Sequence, residues 1–331
     1  MLTAAFLFRG VFFALALPAG DPLDETYHFA YASFMAQTGR VPRAGENSIP
    51  IEFGRATATL PATGPSGAIS WGDYSRLPEE RRRELRAAAY EYRPAERETF
   101  FAPNYETQQP PLFYGLAASF LKAFPRAPFS TRLAAVRLLS VLLAALAIPL
   151  AYRFLRRLFP RRTALAATAA LTAFPGIGIF AGRFTNDTLA LPIAAALLGL
   201  FVDAARDRLS QGKSVAMAAL FAAALWTKLY FLLLLPAVLA LSLLARTRRS
   251  LGRALLATAA SVVVFLPWAL HQRAQTGDWL GLYASKKATA LAIGLPARLA
   301  AFPDLLRARF AIVFGRTFLW PGTRSASGAP A

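Results

Sequence analysis

The 331-residue chain reads as an all-α integral membrane protein, a multi-helix bundle with one large hydrophilic loop near its start that carries juxtamembrane helices. Three observations carry this reading. Hydrophobic residues make up 56% of the sequence and gather into runs of membrane length. Bases outnumber acids 37 to 18, and beyond Thr131 they cluster in the links between apolar runs, as cytoplasmic loops do. Most acids fall between residues 20 and 130 instead. A basic excess can signal nucleic acid, but its alternation with apolar runs assigns it to topology, so no nucleic-acid partner is expected.

Other classes fall away on composition. There is no cysteine, which excludes disulfides and thiolate metal sites, and the two histidines cannot form an all-histidine zinc site. The redox compartment stays open.

Taken in order, residues 2–19 form a first apolar segment with Arg9 in its middle. A signal peptide with Arg9 as its basic region is the rival reading. Residues 20–130 make the first external loop, with juxtamembrane helices expected at about 24–40 and 110–124. Pro, Gly and Ser punctuate 41–75, predicting irregular loop with short strands around 49–53. Residues 79–92 predict a charged, solvated helix. Further spans are expected at about 133–151, 163–182, 187–205, 214–226, 229–245, 251–270 and 305–320, all within one domain covering 1–331.

Charge parity refines this. The clusters Arg153, Arg156, Arg157, Arg161, Arg162; Arg206, Arg208, Lys213; and Arg246, Arg248, Arg249, Arg253 share one side only if 214–245 is two helices broken near Trp226, Thr227 and Lys228. The same parity keeps 110–124, too short to span, beside the membrane.

On the opposite face, parity gathers Asp24 and Glu25; Gln108 and Gln109; Arg183, Asn186 and Asp187; Trp226 and Lys228; and His271, Arg273 and Asp278. Polar groups from five segments at headgroup depth describe a site for a substrate whose reactive phosphate is held there by a lipid tail. Acids at this depth cost free energy that a partner or a function offsets. Each has a plainer reading. Asp24 and Asp187 could cap helices, Glu25 could complement a helix dipole, His28 could be a hydrogen-bonded interfacial residue, Lys228 could snorkel, and Trp226, Trp268 and Trp279 could be interfacial anchors.

Several pieces of sequence add a resemblance. They are DETYHF at 24–29 with TGRVP at 38–42, QQPPLFY at 108–114, RLLS at 137–140, GRFTNDTLAL at 182–191, TKLYFLLLLP at 227–236 and PWALHQRAQTGDW at 267–279. In this order they resemble the polytopic glycosyltransferases of the C-type fold (GT-C), and within them the bacterial branch related to protein O-mannosyltransferases and lipid A aminoarabinose transferases, similar to glycosyltransferase family 39. The resemblance implies a polyprenyl-phosphate sugar donor, inverting transfer to an acceptor hydroxyl, and an active site on the extracytoplasmic face of the inner or plasma membrane. It also implies Asp24 as general base. This suits the chemistry, because a hydroxyl attacks well only as a carboxylate takes its proton, worth about 100- to 10,000-fold.

The catalytic candidates are therefore Asp24 and Glu25. The substrate-binding candidates are His28, Gln109, Arg137, Asn186, Asp187, Lys228 and Arg273, with Lys286 and Lys287 as further cations for a leaving phosphate. Magnesium or manganese is left open, since Asp24, Glu25 and Asp187 offer hard oxygen ligands but no spacing demands a metal. The acceptor, whether protein, lipid or glycan, is not specified. Compared with the family pattern, later helices are expected to be missing, so an inactive truncated fragment is one alternative. A transporter or flippase with Arg9 and Lys228 lining a path is another, though no internal repeat supports it.

Overall fold

The computed structural model describes residues 1–281 apart from 21–23, 44–45, 47, 62–68, 92–98 and 245–246. The span expected at 305–320, together with Arg246, Lys286 and Lys287, lies outside the described residues. What is described is helical apart from one short antiparallel pair, β1 (Ser48–Pro50) with β2 (Thr99–Pro103). The all-α membrane class is the observed one.

The chain opens with α1 (Leu2–Ala16) and α2 (Glu25–Thr38), followed by α3 (Ile51–Thr59), α4 (Trp71–Arg76) and α5 (Glu79–Tyr90). A 3-10 turn (Tyr105–Gln108) leads into α6 (Leu112–Leu121). Then come α7 (Phe129–Ala145), α8 (Ala147–Leu158), α9 (Arg161–Ala173), α10 (Pro175–Ala181) and α11 (Asp187–Ala205). After α12 (Gln211–Thr227), a 3-10 stretch (Leu229–Leu234) precedes α13 (Leu235–Leu244) and α14 (Arg248–Thr276). The strand expected around 49–53 is cut short. Pro50 takes the N-cap position of α3 with φ −59°, and lacking an N–H it opens a helix more readily than it extends a ladder.

Among the described residues, three helices are long and apolar enough to cross a membrane: 129–158, formed by α7 and α8 together, Asp187–Ala205 and Arg248–Thr276. The pair α9 and α10, bent by 60° at Pro175, makes a fourth if it crosses as one. Leu2–Ala16, Leu112–Leu121 and Leu229–Val238 are apolar but shorter.

Arg9 finds its partners at that bend. Its guanidinium donates to the carbonyls of Ala173 (2.7 Å), the last residue of α9, and of Phe174 (2.7 Å), which also accepts from the Gly178 amide at 3.5 Å. α1 runs antiparallel to α7, so Phe6 packs with Ala144, Ala145 and Ile148, and Gly10 faces Val141. The approach of α10 to α1 is close enough that a Cβ on Gly182 would stand 2.6 Å from that of Phe13.

Among the described residues, two larger cores join the Phe6 cluster in holding the bundle. One unites α11, α12 and α14 around Leu197, Met217, Phe221 and Phe265. The other is aromatic: Phe29 of α2, Phe53 of α3, Phe113 of α6, Phe129 of α7 and Phe184 meet edge to face or tilted. Such pairs add about 0.5–1.5 kcal/mol each beyond burial. This second core seats α2 and α6 against the bundle and thereby sets where Asp24 emerges. A buried ion pair, Arg132 to Glu52 at 2.8 Å, ties α3 to α7 beside it.

Candidate active site

Glu25 opens α2 and is fully buried. Its Oε1 accepts from Arg137 Nε (2.8 Å) and the Phe184 amide (3.0 Å), while Oε2 accepts from an Arg137 terminal nitrogen (2.6 Å) and the Gly20 amide (3.1 Å). The remaining Arg137 donors go to the carbonyls of Ala14 (3.0 Å), Leu17 (2.7 Å) and Pro18 (2.8 Å) at the end of α1. A guanidinium has five N–H donors. All of them are spent here, on Glu25 and on three carbonyls of the first helix end. Burial opposes charge on Glu25, but Arg137, the Phe184 amide and Arg183 override it and hold the carboxyl below its ordinary value.

Asp24 contrasts with its neighbour. It is exposed, sits at the N-cap position of α2 with φ 62°, and makes no capping bond through its side chain. Left-handed backbone at a non-glycine residue costs about 1–3 kcal/mol. The carboxylate instead accepts a hydrogen bond from the Tyr105 hydroxyl, and the Tyr105 ring packs tilted against Tyr27 at 4.4 Å. Burial, with Asp24 beside it, pushes the Tyr105 hydroxyl well above its ordinary range, so it remains a donor. Asn104 secures this turn by accepting from the Glu106 amide (2.9 Å) and donating to the Tyr27 carbonyl (2.9 Å).

Next to Tyr105, Glu106 is buried, and burial together with the Asp24 charge raises its carboxyl to about 7. Lys228 and Asp187 act on it as well, which places the four charged groups within one electrostatic neighbourhood. Lys228 lies just past the end of α12 and donates to Asp187 at the start of α11 (2.6 Å). Asp187 also accepts from Tyr230 (3.3 Å) and Thr185 (3.3 Å). Thr185 meets His28 Nε2 at 3.4 Å, and His28 Nδ1 meets the Tyr114 hydroxyl at 2.7 Å. Burial and then Lys228 depress His28 to about 3, so it is neutral near pH 7 and serves this chain as a hydrogen-bonding link. Tyr114 in turn stacks on Tyr31, whose hydroxyl donates to the Gln109 carbonyl (3.1 Å).

Around this chain, buried acceptors lack partners. Glu106 Oε2, Gln108 Oε1, Gln109 Oε1 and Asn186 Oδ1 make no hydrogen bond, although Asn186 donates to the Thr227 carbonyl at 3.3 Å. Orphaned buried acceptors cost about 1–3 kcal/mol each. Three of the four belong to the short stretch 106–109 ahead of α6, and the fourth precedes α11.

The structure thus brings His28, Gln109, Asn186, Asp187 and Lys228 into one network, with Asp24 reached through Tyr105 and Glu106. Arg273 lies apart: it donates to the Gly277 carbonyl (2.8 Å) at its own helix end and lies over Trp279 at 5.5 Å. Among the described residues, no three His, Asp or Glu side chains gather as a metal site would require. Sequence reading passed over Tyr105, Glu106, Tyr114, Thr185 and Tyr230. Glu106 was the most accessible of them, two residues ahead of the Gln-Gln-Pro-Pro run.

A family model described as dolichyl-phosphate-mannose-protein mannosyltransferase matches residues 108–271. The match takes in Gln108, Gln109, Arg137, Asn186, Asp187 and Lys228 and begins after Asp24 and Glu25. No curated protein and no solved structure matches the chain.

Proposed function

We propose that this chain, a multi-pass membrane protein whose residues 108–271 belong to the dolichyl-phosphate-mannose-protein mannosyltransferase family of glycosyltransferases, transfers a sugar from a polyprenyl-phosphate donor to an acceptor hydroxyl with inversion. The observation that carries the reading is an exposed carboxylate, Asp24, and a lysine, Lys228, that both act on Glu106, in a stretch where Glu106, Gln108 and Gln109 hold buried acceptors without partners. Sugar hydroxyls would supply the missing donors.

In this reading the acceptor oxygen attacks the anomeric carbon, its proton passes to Asp24, and the carbon–oxygen bond to phosphate breaks, the electron pair leaving with the phosphate. Tyr105 orients the Asp24 carboxylate. Lys228, with two N–H donors beyond the one given to Asp187, meets the charge that grows on the leaving group. Glu25 and Arg137 touch no substrate; they are positioning residues that hold the start of α2, and so Asp24, against the end of α1. The site faces the extracytoplasmic side, as charge parity along the chain supports.

The test is release of sugar from a panel of radiolabelled polyprenyl-phosphate sugars by purified protein, beside Asp24→Asn. The expected outcome is turnover by the wild type, a loss of about 100- to 10,000-fold in the variant, and unchanged donor binding in both. Equal turnover by the two proteins refutes Asp24 as base, and donor carried across a vesicle membrane without cleavage favours a flippase.

A further inference from the structure

Away from Asp24, the end of α1, the inner face of α5 and the first turns of α7 enclose a crevice of about 910 Å³. Its two sides differ in chemistry. Toward the bundle it is apolar, lined by Leu17, Leu133 and Ala134, with Leu15 at its edge. Toward solvent, α5 sets Arg83 and Arg86 among Glu80, Glu84 and Glu91. A second observation leads to its mouth. Phe8, Phe12 and Leu15, 80%, 60% and 64% exposed, are spaced four and three residues apart and form one outward stripe along α1. On a helix in a bilayer such a stripe lies against acyl chains, and the crevice opens where it ends, at the depth of the headgroups.

We propose that this crevice binds one zwitterionic bilayer phospholipid, its acyl chains along the α1 stripe and its headgroup among the charges of α5. The space suits a headgroup, glycerol and the first methylenes, falling within the roughly 300–1,000 Å³ of small-molecule sites. The rim suits a zwitterion. Arg83 keeps 78% of its side chain exposed and reaches Glu79 only at 3.9 Å, which leaves it for a phosphate. The carboxylates around it repel a purely anionic headgroup and favour an ammonium.

The site also borders the catalytic framework. Arg137 forms part of the crevice lining, and it is Arg137 that joins the end of α1 to Glu25. A lipid seated here braces the helix end on which the position of Asp24 depends.

The experiment uses the full chain in nanodiscs containing phosphatidylethanolamine, phosphatidylcholine and phosphatidylglycerol in equal amounts. One lipid at a time carries a photoactivatable acyl chain, and crosslinks are mapped by mass spectrometry. The two zwitterionic probes are expected to label the α1 stripe and the first turns of α7 in preference to phosphatidylglycerol. Ala134→Trp, which fills the crevice, and Arg83→Glu, an exposed change that spares the fold, should each cut that labelling by about tenfold. Undiminished labelling in Arg83→Glu overturns the proposal, and so does preferential labelling by phosphatidylglycerol. Displacement of the label by polyprenyl phosphate also overturns it, by making the crevice a polyprenyl site.

Discussion

Replacing Arg137 by Met removes five hydrogen bonds from the start of α2 and the end of α1. Glu25, with no exposed surface, keeps only the Gly20 and Phe184 amides, and three carbonyls lose a charged donor. Breaking a buried ion pair by removing one partner costs about 3–5 kcal/mol, chiefly because a charge is left without its counterion. Glu25→Gln strands Arg137 in the same way, although the guanidinium keeps its carbonyl acceptors, so the lower end of that range is expected. The double variant Glu25→Gln with Arg137→Met strands no charge. Its cost should fall short of the sum of the singles by at least about 2 kcal/mol, within the range of coupling between contacting residues. The assay is thermal unfolding of the purified protein followed by size-exclusion fluorescence, at pH 7 and at pH 4. Because Glu25 is held below its ordinary value, its contribution is present above the unfolded value of 4.5 and is lost as pH falls through the folded one. Costs that simply add, to within about 0.5 kcal/mol, would refute the description of Glu25 and Arg137 as one unit.

Glu106 predicts a stability effect of opposite sign. Its carboxyl is raised from 4.5 to about 7, so the unfolded chain gives up this proton before the folded one does, and stability falls as pH rises across that window, by roughly 3 kcal/mol in all. Glu106→Gln should flatten the wild type's decline in melting temperature between those values; an unchanged slope assigns the decline elsewhere. Lys228→Met should lower turnover by about 10- to 1,000-fold, in line with the loss of one electrostatic contact to developing charge, and should raise donor KM as well. Turnover within twofold of wild type would remove Lys228 from the phosphate site. Gly182→Val should weaken assembly of the bundle, because its added carbons meet Phe13 and the Ala14 amide; a stable variant with an unchanged melting curve would show that α1 and α10 separate easily.

What the sequence determined by itself is local or periodic. Runs of apolar residues and clusters of bases established the membrane class, because burial in lipid and the charge of loops depend on composition over a dozen or more neighbours. The adjacency of Asp24 and Glu25, and the ordered motifs as far as Lys228, were enough to nominate the part of the chain that holds the candidate site. What only the tertiary structure decided is which of two adjacent acids faces solvent and which is spent inside. Asp24 and Glu25 are alike in sequence, yet one meets Tyr105, 81 positions away, and the other Arg137, 112 positions away. The same holds for Arg137 itself, which reads as a free cation until packing of α7 against α1 sets three carbonyls around it. Glu106 and the orphaned amides are the clearest case. Their chemistry arises from burial and from neighbours on α2, α11 and the end of α12, and both are set by how the helices pack.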